Sequence, residues 1–104
     1  MFESVLVELR EKIRRRLYVV TYHVRMEMLD DLLTTDDLEL AVLNGVILEH
    51  QKDRATGESK HRIRGMATDG RPVEVIVKTG LTGKDIESLY LKFNNIIIIG
   101  IRSL

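Results

Sequence analysis

The chain contains no cysteine, which leaves no disulfide and no thiolate metal site to consider. That absence fits a reducing compartment, and the cytoplasm is the expected location. No apolar run reaches the length of a membrane span: the longest, Ile96 to Ile99, is interrupted by Gly100. A secretory leader is not expected, because Glu3, Glu8, Arg10 and Glu11 break any apolar stretch near the start. No membrane partner is expected either. Net charge is also missing. The 16 Lys/Arg balance the 16 Asp/Glu, so the chain lacks the overall basic excess common among nucleic-acid binders.

Catalytic and ligand motifs are absent in the same way. His23, His50 and His61 are far apart in sequence and form no HExxH pair, so no metal site is expected. Asp30, Asp31, Asp36 and Asp37 do not follow a calcium-loop pattern and read as helix surface and N-caps. The segment Gly80-Leu81-Thr82-Gly83-Lys84-Asp85 is like a phosphate loop, but it lacks the longer spacing and a Ser or Thr after the lysine. There is no Gly-x-Ser-x-Gly. No cofactor is expected.

What the chain does have is charge sorted along its length. Residues 1–26 carry six Lys/Arg and three Asp/Glu. Residues 27–49 carry no Lys/Arg and seven Asp/Glu, and residues 50–104 carry ten against six. A neutral total therefore hides a basic start, an acidic middle and a basic end, which can build a local field on a neutral protein. At 104 residues with 44% hydrophobic side chains, one domain spanning residues 1–104 is expected.

The helices come first. In residues 2–17, Phe2, Val5, Leu6, Leu9, Ile13 and Leu17 recur at spacings of three and four, so they share a helix face. Arg14-Arg15-Arg16 near its end suits the helix dipole and reads either as a solvated helix end or as a phosphate contact. Tyr18 to Thr21 is extended, and Thr21 caps a second helix over about residues 22–33, with Met26, Leu29 and Leu33 as its apolar stripe. Thr34-x-x-Asp37 predicts a capping box. The third helix it starts turns Leu38, Ala41 and Val42 inward and stops at Asn44-Gly45.

The period then changes to two. Val46 to His50, Ser59 to Met66, Pro72 to Thr79 and Ile96 to Ile101 read as strands. A loop over residues 53–58 and the Asp69-Gly70 pair join the first three. Pro72 is tolerated at a strand start. Residues 80–94 read as a short helix or, slightly preferred, as a strand through Leu89, Leu91 and Phe93. The last strand is apolar on both faces, so it should be central or covered on both sides. The fold class is α+β: N-terminal helices packed on a small antiparallel sheet of four to five strands.

On the second strand Lys60, Arg62 and Arg64 alternate, so all three point to one face. Arg71, Lys78 and Arg102 lie on or beside neighbouring strands. Two readings of this face stand. It is the solvated side of an ordinary antiparallel sheet, or it is a surface for RNA phosphates, which an arginine fork suits. A metal-free ribonuclease needs a base for the 2′-hydroxyl, an acid for the leaving 5′-oxygen and cations for the charge developing between them. Histidine is suited to the base or acid role near neutral pH. His23 stands in the first turn of the second helix and otherwise reads as a surface histidine.

The runs Thr21-Tyr22-His23-Val24-Arg25-Met26-Glu27-Met28, Thr35-Asp36-Asp37-Leu38, Ala41-Val42-Leu43-Asn44-Gly45 and Gly70-Arg71-Pro72-Val73-Glu74-Val75-Ile76-Val77 together resemble a bacterial domain family of unknown function. That family is related to RelE-type toxin ribonucleases, and the resemblance covers roughly residues 18–101. His23 matches the family's histidine, and Gly45, Gly70 and Pro72 match backbone-shaping positions. The family pattern has an arginine where this chain has Glu27, and a tyrosine near the end of the last strand where this chain has Ile99-Gly100-Ile101-Arg102. The resemblance implies a RelE-like fold and a toxin of a toxin–antitoxin pair. It would be a metal-independent endoribonuclease that cuts mRNA and is inhibited by a cognate antitoxin protein. His23, Lys60 and Arg62 are then the expected catalytic residues, with Arg64, Arg71, Lys78 and Arg102 along the RNA backbone. The alternatives are a non-catalytic protein- or RNA-binding module on the same scaffold, or a structural subunit joined through the apolar last strand. The catalytic reading carries a spatial requirement: His23 must lie on the side of the sheet that bears Lys60, Arg62 and Arg64.

Overall fold

The computed structural model describes residues 3–55, 57–79 and 96–104. The expected helix or strand over residues 80–94 lies outside the described residues, as does Phe2. The elements follow the order α1 (Glu3–Arg14), β1 (Tyr18–Val20), α2 (Tyr22–Asp30), α3 (Thr35–Asn44), β2 (Val46–Lys52), β3 (Ser59–Met66), β4 (Pro72–Thr79) and β5 (Ile96–Ser103). Among the described residues, three helices and a five-stranded open sheet make an α+β fold.

The sheet order is β1-β5-β4-β3-β2. The β2–β3, β3–β4 and β4–β5 pairs are antiparallel, as the hairpin signals predict. The β1–β5 pair is parallel, with Tyr18, Val19 and Val20 opposite Ile96, Ile97 and Ile98. The sheet is therefore mixed rather than purely antiparallel. The short extended stretch between the first two helices adds itself to the far end of the chain, and no local turn signal reports such a pairing. As its two apolar faces require, β5 lies inside the sheet between β1 and β4.

Helix ends explain how the chain changes direction. α1 closes with Leu17 N–H donating to Lys12 O at 2.8 Å and Arg16 N–H to Ile13 O at 3.0 Å. α2 repeats the pattern with Leu33 N–H to Met28 O at 2.8 Å and Leu32 N–H to Leu29 O at 3.3 Å. Both are Schellman endings, which need a left-handed residue where glycine is usual. Here Arg16 and Leu32 take it, each at φ 55°. α3 begins with the expected capping box between Thr34 and Asp37.

The helix-side core is built from Leu9 and Ile13 of α1, Val24 and Met28 of α2, Leu38, Ala41 and Val42 of α3, and inward residues of the strands such as Ile63, Val75 and Ile98. The stripe expected on α2 is corrected by this packing. Leu33 is buried, but Met26 is 41% and Leu29 68% exposed. The helix is apolar on more than one side, so its periodicity leaves the inward face undecided, and contact with β5 selects Val24 and Met28. α3 lies close on β3 because Gly65 has no side chain. A Cβ there would overlap the Ala41 carbonyl oxygen and stand 2.6 Å from Asn44 Oδ1. Asn44 fixes the same contact, accepting from Met66 N–H at 2.9 Å and donating to Met66 O at 3.1 Å.

Candidate nucleic-acid interface

The period-two geometry of β3 sends His61, Ile63 and Gly65 to the helix side and Lys60, Arg62 and Arg64 to the other. Pairing with β4 sets Lys60 opposite Lys78, Arg62 opposite Ile76 and Arg64 opposite Glu74. Pairing of β4 with β5 sets Glu74 opposite Arg102. Lys60, Arg62 and Arg64 therefore share one face, as the alternation predicts, and strand register brings Lys78 and Arg102 onto it. A bulge at Leu48 shifts β2 by one residue and brings Glu49, not Leu48, opposite Arg62.

Most of these cations are already engaged. Arg62 lies between two carboxylates, with Nη1 3.2 Å from Glu74 Oε2 and Nη2 3.2 Å from Glu49 Oε2. The bond to Glu74, more than the one to Glu49, holds the guanidinium above its ordinary pKa. Glu74 is buried and also meets Arg102, at 3.5 Å. Lys78 pairs with Glu58 at 3.0 Å. Lys60 and Arg64 are exposed and have no ion pair among the described residues. The face is thus a lattice of guanidinium and carboxylate groups with two uncommitted cations, and not a uniformly positive patch.

Arg71 is placed elsewhere. Its Nε lies 2.7 Å from Asp69 Oδ2, and its terminal nitrogens donate to Asp31 O and Leu32 O, each at 2.8 Å. Those carbonyls end α2, where a cation satisfies orphan acceptors and suits the helix dipole. Arg71 ties the β3–β4 hairpin to that helix end and does not join the lattice.

His23 follows the cap at Thr21, whose hydroxyl accepts from Val24 N–H at 3.3 Å. The imidazole is 76% exposed, and its Nε2 is 3.3 Å from Glu27 Oε1, one helical turn on. That carboxylate oxygen is shut off from solvent and makes no hydrogen bond with good geometry. Glu27 lines a recess of about 290 Å³ together with Glu74, Ile76, Gly100 and Arg102. Ile76 also lines a second recess of about 280 Å³, with Glu49, Lys60 and Arg62. Lys60 and Lys78 line a third, of about 330 Å³. The three recesses share residues and run in a row from Lys78 to Glu27. His23 lines none of these recesses and meets the row only through its contact with Glu27.

Sequence reasoning missed Glu27, Glu49 and Glu74. Glu74 had a legible signal, since it stands on β4 in alternation with Ile76 and Lys78 and so belongs to the outward face. Glu49 had none, because its position depends on the bulge. The other two histidines stand apart. His61 is buried on the helix side, and its ring stacks on that of His50 with centroids 4.6 Å apart. Among the described residues no three His, Cys, Asp or Glu side chains group as metal ligands, and no helix is long and apolar enough to cross a membrane.

Comparison with curated proteins and with solved structures returned no match. Comparison with protein families matched one, over residues 20–84, which span the segment from the end of β1 through β4. Its description names no activity and no link to RelE-type toxins. By that match the chain belongs to the family of domains of unknown function DUF4258.

Proposed function

We propose that this is a RelE-like, toxin-type endoribonuclease that acts on mRNA in the cytoplasm without a metal ion and is held in check by an antitoxin protein. The observation that carries the reading is the row of recesses on one sheet face, with Glu27, the contact partner of His23, at one end and Lys60 and Arg62 along it. An RNA strand laid along the row would meet an acid–base pair and guanidinium groups together. The reaction is transesterification. One of the His23/Glu27 pair takes the proton of the 2′-hydroxyl as its oxygen attacks phosphorus. The other gives a proton to the departing 5′-oxygen as the P–O bond breaks, leaving a 2′,3′-cyclic phosphate. Arg62 and Lys60 stabilise the charge that grows on the phosphoryl oxygens. Glu74 is a positioning residue, holding Arg62 and Arg102 in place from below. Arg64, Lys78 and Arg102 would follow the RNA backbone. In this reading Glu27 takes a working role at the position where the family pattern has arginine.

The test is cleavage of a labelled RNA by the purified protein in EDTA. Cleavage is expected, with a cyclic phosphate at the new 3′ end, and Arg62→Ala and His23→Ala should each reduce the rate at least tenfold. Undiminished cleavage by both variants would reject the residue assignment.

One observation favours a second reading. Arg62, Arg102 and Lys78 are each paired with a carboxylate, so much of the positive charge on the face is already compensated, which suits a binding module that does no chemistry. That reading expects saturable, salt-sensitive binding of RNA or protein with the RNA recovered intact.

A further inference from the structure

Among the described residues the five-stranded sheet is open, and its two edges differ. The β2 edge carries the bulge at Leu48, a device that disfavours pairing with another chain. The β1 edge has no bulge. In the parallel β1–β5 pair, Leu17 O accepts from Ile96 N–H and Thr21 N–H donates to Ile98 O, both at 3.3 Å. Backbone groups alternate in direction along a strand, so those of Tyr18 and Val20 point away from β5. They make no hydrogen bond to a described residue beyond the sheet edge.

A recess of about 330 Å³ lies along this edge, lined by Arg16, Tyr18, Val19, Val20, Arg25 and Thr35. The two charged groups on its wall are both guanidinium groups, Arg16 two residues before β1 and Arg25 in α2. Both are exposed, and neither has an ion pair among the described residues. Both act on Tyr18. They favour its phenolate, although burial, and after it the Glu39 carboxylate that accepts the phenol proton at 2.8 Å, push the phenol up to about 12. Arg16 also holds the left-handed position that glycine usually takes, so the chain keeps an arginine there at a local conformational cost.

We propose that the outer edge of β1 receives an extended acidic segment of a partner protein as a sixth strand. The backbone of Tyr18 and Val20 supplies the pairing, as in other strand additions, and Arg16 and Arg25 select carboxylates of the segment. This surface lies at the opposite edge of the sheet from β2, and the inference does not depend on the ribonuclease reading.

The probe is a synthetic octapeptide of alternating valine and glutamate, with a valine–lysine octapeptide as its control. Backbone amide resonances of the full chain are followed during titration, together with amide exchange. The acidic peptide should bind saturably, slow exchange at Tyr18 and Val20, and leave the β2 amides unaffected. The Arg16→Gln, Arg25→Gln double variant, with its amide spectrum otherwise native, should bind at least tenfold more weakly. Four outcomes would overturn the proposal: no saturable binding at millimolar peptide, equal binding of the lysine peptide, protection of β2 in place of β1, or full affinity in the double variant. Protection of the same two amides by inorganic phosphate or an RNA oligonucleotide to the same extent would also overturn it, because the site would then be a general anion site.

Discussion

Asp37 is buried and joins three parts of the fold. Its Oδ2 accepts from Thr34 N–H at 2.8 Å, closing the capping box of α3. Its Oδ1 accepts from Thr68 N–H at 2.9 Å and from the Thr68 hydroxyl at 2.6 Å, which fastens the β3–β4 turn to the start of that helix. The Thr68 hydroxyl above all, then the backbone N–H groups of Thr34 and Thr68, hold the carboxyl well below the usual carboxylate range and outweigh its burial. A hydrogen bond to a charged group is worth about 1.5–3 kcal/mol net, and a lost helix cap about 1 kcal/mol. Thr34 and Thr68 are exposed, so water replaces part of what Asp37→Ala removes. The expected destabilisation is about 2–3 kcal/mol, against a total of roughly 5–15 kcal/mol for a domain. For a chain of this size that lowers Tm by roughly 10–20 °C. Asp37→Asn keeps an acceptor but loses the charge, so it should lose less and should also change the pH dependence. A carboxyl with a depressed folded pKa contributes stability above its unfolded value, near 3.9, and that contribution is lost as pH falls toward the folded value. Urea unfolding followed by circular dichroism should therefore show a constant gap between the native chain and Asp37→Asn from about pH 7 to about pH 5. Below about pH 4 the gap should narrow. A loss under about 0.5 kcal/mol for Asp37→Ala, or a gap to Asp37→Asn as wide at about pH 3 as at neutrality, would refute the reasoning.

Three further outcomes are expected. Gly65→Ala forces α3 off β3, since its Cβ meets backbone at Ala41; a loss of about 2 kcal/mol or more in urea unfolding is expected, and a neutral effect would contradict the close packing. Leu32→Gly should stabilise the fold by about 0.5–1 kcal/mol, because Leu32 is 80% exposed and left-handed, and glycine removes the strain at some cost in chain entropy; a fall in Tm would argue against it. His61 has its pKa lowered, by burial first and by His50 second. Folding therefore favours its neutral form, and stability should decline as pH drops below the unfolded value near 6.5, by at most about 1.4 kcal/mol per pH unit. His61→Phe should flatten that slope between about pH 7 and pH 5, and an unchanged slope would assign it to another group.

Much of this protein is written in local sequence. The capping box at Thr34 and Asp37, the N-cap at Thr21, the turn at Asp69-Gly70 and the alternation of Lys60, Arg62 and Arg64 all depend on residues within a few positions of one another. Their geometry follows from backbone periods of 3.6 and 2 and from short-range hydrogen bonds. Even the interior place of β5 was legible, because a strand apolar on both faces needs cover on both. Other features needed the assembled fold. The parallel partner of β1 lies at the other end of the chain, and contact with β5 chose the inward face of α2. The bulge at Leu48 gave Arg62 its second carboxylate. The hairpin placed Arg71 at the end of α2 and away from the cationic face. Periodicity tells which side of an element a residue occupies. It does not tell what stands opposite, because register and packing are settled by many weak contacts between distant segments at once.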